Sequence, residues 1–219
     1  MNAPLQQTNL RDQALALIKL RLVSGDLAPG QIYSASSLAT ELGVSNSPVR
    51  EAMLTLVNQG LMETVRNRGF RVLPMSEKDR RNIYELRLLI EVPSMARLAA
   101  LKDKVAARKG EFAQLAADIV RCARKGDIVG YLHADRGFHL GLLSILENDQ
   151  LTGIVENLRD QSRQYGLKGL SRRGLLTASA EEHQPILDAI LAGDRKLVVK
   201  LMTAHLDHLV GDWAEPQDG

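Results

Sequence analysis

Only one stretch of this chain reads as β structure. Leu61-Met62-Glu63-Thr64-Val65 and Phe70-Arg71-Val72-Leu73 are short β-prone runs joined by Arg66-Asn67-Arg68-Gly69, the pattern of a hairpin with a basic tip. What precedes it is helical. Residues 9–24 place Leu10, Ala14, Leu17, Ile18 and Leu22 near helical spacing, and Gly25-Asp26 with Pro29-Gly30 end that helix. A short helix over about 35–42 carries Leu38, Ala39 and Leu42 on one side. After Gly43 a third helix runs over about 46–59, with Val49, Met53, Leu56 and Val57 as its apolar face, and Gly60 stops it. Pro74 closes the unit. Helix, helix, turn, helix and a two-stranded wing make a winged helix-turn-helix.

Beyond Pro74 the signals are helical throughout. The spacing predicts a bundle of about six helices at roughly 76–101, 105–125, 127–147, 149–169, 179–192 and 194–212, with a loop at 170–178. Gly-Asp at 126–127 and 193–194 can end one helix and cap the next, and Ser179 to Glu182 has capping-box spacing. Aromatic residues are only 4%, which fits a mainly α protein: residues 1–74 as one domain, 75–219 as another. Cys122 is the single cysteine, so neither an internal disulfide nor a cysteine-based zinc site is expected. The first residues lack a basic start followed by an apolar stretch, and no apolar run approaches a membrane span; the expectation is a cytoplasmic protein without membrane partners.

The third helix opens on Ser45-Asn46-Ser47-Pro48, with Arg50 just inside its first turn. Small polar residues let a DNA backbone approach, and the free N–H groups of a first turn are phosphate donors. Pro48 is tolerated there because it removes a donor that has no helical partner. Arg50 can reach a guanine edge or a phosphate, and Arg66 and Arg68 on the hairpin tip add backbone or minor-groove contacts. The formal net charge of +2 lies in residues 1–74, which hold seven Lys/Arg against five Asp/Glu.

This segment resembles the DNA-binding domain of the GntR family of bacterial transcription regulators. The matching residues are L38-A39, L42-G43-V44-S45, S47-P48-V49-R50-E51-A52, L56, G60-L61 and N67-R68-G69-F70-R71-V72. The resemblance implies that Ser45, Asn46, Ser47 and Arg50 face a double-stranded operator, joined by Arg66, Asn67, Arg68 and Gly69 of the wing tip. Many family members carry Arg where this chain has Asn46 and a basic residue where it has Ser36. An altered operator or weaker binding follows.

In the second domain Asp135 and His139 are four apart and share a helix face, while His183 and His205 lie on two later helices. Side chains projecting into a bundle from different helices can close around a divalent metal. A solvated helix pair also explains Asp135 and His139, and from these residues alone is the weightier reading; His208, three residues from His205, is an alternative to it. His133 should face elsewhere around the helix.

Residues from about 80 to 210 resemble the FCD effector domain of the FadR branch of GntR regulators, through E85-L86-R87, I90-E91, A99-A100, D135, F138-H139, N148, E182-H183, I186, A189-I190, G193-D194, M202 and H205-L206. With six predicted helices rather than seven, it is similar to the VanR-like subgroup. The resemblance implies a metal held by Asp135, His139, His183 and His205, zinc first, with nickel or manganese as alternatives. It also implies a small organic acid effector on that metal, with Arg87 and Arg163 as candidate clamps for a second acid group. Arg87 also has Glu91 four residues on as a helix partner. The expected whole is a homodimeric repressor released from a palindromic operator, not an enzyme. The rival readings are a metal-dependent hydrolase or hydratase, with Glu182 beside His183 as a base, and a regulator whose metal is purely structural.

Overall fold

The computed structural model describes residues 5–172 and 176–211, with side chains described over 10–163 and 176–207. The chain forms two compact units, residues 1–76 and 77–219. The first contains α1 (Leu5–Val23), β1 (Ile32–Tyr33), α2 (Ala35–Leu42), α3 (Asn46–Asn58), β2 (Met62–Val65) and β3 (Gly69–Val72). The second contains α4 (Glu77–Arg97), a 3-10 turn (Leu98–Leu101), α5 (Lys102–Ala106), α6 (Lys109–Lys125), α7 (Ile128–Ser144), α8 (Asp149–Arg172), α9 (Leu176–Glu181), α10 (His183–Ala192) and α11 (Arg195–Gly211).

The first unit is a winged helix-turn-helix built on one apolar core. Ile18 and Leu22 of α1, Leu38 of α2, Val49, Met53 and Leu56 of α3, and Phe70 and Val72 of β3 are all buried. On α1 the buried row is Ala14, Ile18 and Leu22, four apart; Leu17 is exposed because it lies 100° around the helix from Ile18, and Leu10, one turn before Ala14 in the same row, is exposed as well. Ser34 caps α2, its Oγ accepting from Ser37 N at 3.0 Å, and Gly43 ends it in the left-handed region. The wing has three strands where two are expected, in antiparallel order β1-β3-β2. Strand β1 is two residues long and owes its existence to pairing, Ile32 opposite Arg71 and Tyr33 opposite Phe70, which no local pattern reveals.

That third strand gives Gly69 a definite task. It sits at φ +120°, and a Cβ there would lie 2.4 Å from the Tyr33 carbonyl oxygen. Gly69→Ala is expected to destabilise the protein by about 2–4 kcal/mol, combining the backbone strain with the clash. Urea unfolding followed by circular dichroism measures it; an unchanged midpoint would show that β1 is not held against the wing in solution.

In the second unit α4 packs against both α8 and α11, and α6 against α7 and α9. Phe112 and Phe138 meet edge to face at 6.5 Å in the interior. The Gly-Asp breaks serve as expected: Gly126 and Gly193 are left-handed caps, Asp127 Oδ1 accepts from Gly130 N at 2.9 Å, and Asp194 Oδ1 accepts from Leu197 N at 2.9 Å. Two expected helices are divided. The one predicted over 76–101 tightens after Arg97, and the next begins only at Lys109, since Leu98, Ala99 and Val105 of the intervening turns all bury. The one predicted over 179–192 breaks at Glu182. Ser179 is buried within α9, and the Glu182 carboxylate is engaged by His205 rather than by a capping bond. Of the loop predicted at 170–178, residues 170–172 instead continue α8 and 176–178 belong to α9, while 173–175 lie outside the described residues. No helix among those described is long and apolar enough to cross a membrane.

Candidate functional site

In the first unit the residues singled out for DNA lie at the surface. Ser45, Asn46, Ser47 and Arg50 at the start of α3 are exposed, as are Arg66, Asn67 and Arg68 at the wing tip, with Gly69 half-buried. Pro48 and Val49 between them are buried, so the helix is anchored by the residues that its exposed ones alternate with. Ser45 is the N-cap but makes no side-chain capping bond, and Ser47 Oγ turns away to donate to Glu51 Oε1 at 3.2 Å. The first-turn N–H groups of α3 therefore lack a side-chain cap, the condition under which a helix start attracts phosphate. At the tip Asn67 is left-handed at φ 59°, a conformation Asn tolerates better than most residues.

In the second unit α7 brings Asp135 and His139, α10 its first residue His183, and α11 His205. One donor atom from each lies within 4.8 Å of all the others, and all four residues are buried. His183 Nε2 is 3.2 Å from both His139 Nε2 and Asp135 Oδ1, and His139 Nε2 is 3.9 Å from that same oxygen. Two atoms 3.2 Å apart and each about 2.1 Å from a common centre subtend roughly 100° there, within the range of metal coordination.

The protons decide what the cluster can hold. His183 Nδ1 lies 2.9 Å from the Ala180 carbonyl, which only accepts, so Nδ1 carries a proton and Nε2 points inwards. His205 does the same by donating Nδ1–H to Glu182 Oε2 at 2.8 Å. His139 Nδ1 is 3.3 Å from Glu91 Oε1 without the geometry of a hydrogen bond; the carboxylate nonetheless favours the proton on that nitrogen. Burial lowers the His139 imidazole well below its ordinary pKa, with Arg159 pushing the same way, and burial takes His205 down to about 4. Three imidazole nitrogens and one carboxylate oxygen thus face one another within 4.8 Å. A divalent cation satisfies them all, and the carboxylate behind His205 is the outer partner that metal-bound histidines usually have. His133 is exposed, and the side chain of His208 lies outside the described residues.

Behind the cluster stands a layer of buried charge. Asp135 uses one oxygen for the histidines and the other, Oδ2, for Arg159 Nη2 at 2.5 Å and for Arg163. Arg159 also donates to Glu91, and Arg87 pairs with Glu91 at 2.8 Å while donating to Ser162 at 3.1 Å. Burial alone would raise both carboxyls; Arg163 and Arg159 hold Asp135, and Arg159 and Arg87 hold Glu91, well below the ordinary range. Arg87 therefore makes its helix pair with Glu91, but deep inside, where burial lowers its guanidinium to about 10. Arg163 is buried too. Arg159 and the outer roles of Glu91 and Glu182 are not in the sequence-based set. The signal for Arg159 is its place on the α8 face of buried Val155, four residues on, with Arg163 four further.

Glu182 orients His205 without touching the donor cluster. Glu182→Gln is expected to weaken metal affinity by about 10–100-fold while leaving the fold intact. Competition with a chromophoric chelator measures the change, and wild-type affinity would show that His205 needs no carboxylate behind it.

Residues 10–72 match the gntR family of bacterial regulatory proteins, and residues 82–208 match the FCD domain. Among curated proteins the chain is similar to an uncharacterized HTH-type transcriptional regulator in an unstable DNA locus of Streptomyces ambofaciens, 29% identical over 210 residues, with 94% of this chain and 85% of that one covered. It is also similar to the gluconate operon transcriptional repressor of Bacillus subtilis, 27% identical over 197 residues, with 87% and 79% covered. Among solved structures, E. coli McbR/YncC superposes with a TM-score of 0.80 at 24% identity over 93% of this chain and 96% of that one, a likeness of fold.

Proposed function

The chain belongs to the gntR family of bacterial regulatory proteins, in the branch with an FCD domain, and from that premise we propose that it is a repressor that a small carboxylate releases from a palindromic operator. The family is one of transcriptional regulators, not enzymes. The acting form is a cytoplasmic homodimer, presenting two copies of α3 to two half-sites. Ser45, Asn46, Ser47 and Arg50 meet the operator, with Arg66, Asn67, Arg68 and Gly69 of the wing beside them.

The observation that carries the effector half is the charge around the donor cluster. In the ion-pair network behind the donors, Arg87, Arg159 and Arg163 face two acids, Glu91 and Asp135, while the buried Asp160 pairs with Arg136 at 3.7 Å; a divalent cation on Asp135, His139, His183 and His205 would add two more positive charges. An anionic ligand relieves that excess, and a carboxylate suits both the ion and a planar guanidinium. Zinc fits the three imidazoles and one carboxylate first, nickel and manganese next. A relative named as a gluconate operon repressor is in keeping with an acid effector. Six longer helices among the described residues of this unit favour the VanR-like subgroup.

The ion, when bound, supplies a Lewis-acidic position for a carboxylate oxygen. The protein's part is to keep the His139 and His205 imidazoles neutral by burial, to orient His183 through Ala180 and His205 through Glu182, and to hold Asp135 ionised through Arg163 and Arg159. Effector leverage on DNA equals its difference in affinity between the two dimer geometries. The burial of all four donors also favours a second reading, in which the ion is purely structural.

Fluorescence anisotropy on the promoter DNA beside the gene, at two salt concentrations and with a panel of small carboxylates, separates the readings. The proposal expects tight sequence-dependent binding with a steep salt slope, weakened at least tenfold by one acid and insensitive to it after chelation. Binding that no carboxylate alters leaves only the structural ion, and binding without sequence preference removes the operator reading.

A further inference from the structure

Helix α3 divides its side chains between the core and the outside. Pro48, Val49, Ala52 and Met53 are buried. Asn46, Arg50 and Leu54 are exposed and lie four residues apart, so they form one row along the helix surface. The polar groups beside this row are already engaged. Ser47 Oγ donates to Glu51 Oε1 at 3.2 Å, and Thr55 Oγ1 accepts from Arg11 and donates to the Glu51 carbonyl at 3.0 Å. The side chains of Asn46 and Arg50 have no hydrogen-bond or ion-pair partner among the described residues. Leu54 ends the polar part of the row.

The two unengaged groups ask different things of DNA. An amide sets an accepting carbonyl beside a donating NH2. In the major groove adenine is the one base that offers the matching pair, its N6 donor beside its N7 acceptor. Guanine offers two acceptors, O6 and N7, which suit the paired N–H groups of a guanidinium. Asn46 is short, so its amide meets a base edge only where the helix tip enters the groove deeply. It is the first residue of α3, between Ser45 and Ser47, whose small side chains permit that approach. Four residues advance about 6 Å along a helix, and one base pair about 3.4 Å along the duplex.

We infer that Asn46 is the residue that makes the operator specific for adenine. In each half-site its amide bonds N6 and N7 of one adenine, within about two base pairs of the guanine that Arg50 reads. The inference rests on the operator reading proposed above and adds to it the base that each side chain selects.

Enrichment of duplexes from a randomised pool by the full-length protein, followed by anisotropy on the enriched sequence, tests it. The wild type should enrich half-sites in which an adenine and a guanine stand that close together. Changing the A·T pair to G·C should weaken binding by about 5–150-fold per half-site. Asn46→Ala should bind all four base pairs at that position about equally. Asn46→Arg should prefer guanine there, a change of preference that only a folded protein can show. 7-Deaza-adenine keeps its pairing but lacks the N7 acceptor; at that position it should weaken the wild type by about fivefold or more and leave Asn46→Ala unaffected. Three results would each overturn the inference: an enriched site without that adenine, an adenine preference that survives in Asn46→Ala, or an equal loss on every sequence, as a phosphate contact gives. In all three the wild type still selects its sequence, so the regulatory reading stands. A wild type that enriches no sequence at all removes both.

Discussion

Asp135→Ala is expected to remove more than the metal. The residue serves two masters: Oδ1 faces the histidines, while Oδ2 takes Arg159 and Arg163. Losing the carboxylate deletes a ligand and at the same time takes from the buried Arg163 its carboxylate partner and from Arg159 one of its two. Breaking a buried ion pair from one side is worth about 3–5 kcal/mol, which in a protein of this size lowers Tm by roughly 6–20 °C. His183→Gln makes the contrast. It also deletes a ligand, but in the metal-free protein it removes one of several lone pairs crowded together, and no charge is left alone. Both variants should bind the ion at least about a thousandfold more weakly than the wild type. In excess chelator, however, only Asp135→Ala should melt far below the wild type. Thermal denaturation with and without metal measures both effects. Equal melting of the two variants in chelator would show that Asp135 serves the ion alone and that the arginines find other partners.

Arg50→Ala is expected to lower affinity for the operator by a factor of about 30 to 25,000. A bidentate contact of arginine to a guanine edge is worth about 1–3 kcal/mol, and a dimer forfeits two. The side chain is exposed at the start of α3, where the neighbouring Pro48 and Val49 are buried and hold it in place. If Arg50 touches a base, the loss falls on the operator and spares scrambled DNA. If it touches phosphate, both DNAs weaken together and the salt slope shrinks by about two, one for each protomer. Anisotropy titrations of operator and scrambled duplex across a salt series distinguish the two. Unchanged affinity on both would take Arg50 out of the interface.

What the chain announces locally, its sequence makes readable. Gly43, Gly126 and Gly193 end helices in the left-handed region, and Asp127 and Asp194 cap the helices that follow, so those breaks stand where punctuation puts them. Strand β1 carries no such mark, because two residues become a strand only by lying against β3. The break at Glu182 does carry a mark that helical spacing alone passes over: Pro185, the third residue of α10, has no N–H to bond the Glu181 carbonyl four residues back. The donor cluster is legible because a divalent metal calls for few residue types at helical spacing. The charged layer behind it is not, since an arginine on an amphipathic helix ordinarily points to water. Only its alignment with Val155 marks Arg159 as an inward-facing residue. Arg87 and Glu91 illustrate the limit from the other side: their four-residue spacing is visible, but their burial depends on α8 closing over them.

The four donors are scattered along the chain, with His139 and His183 separated by 44 residues and His205 a helix further on. No short fragment can gather them. During synthesis on the ribosome, the ion has nothing complete to bind until His205 has been made and α11 has docked. A metal held there would therefore be the final clasp on a bundle already assembled rather than a seed for its folding. A cell short of the ion would accumulate finished chains that lack only that closure.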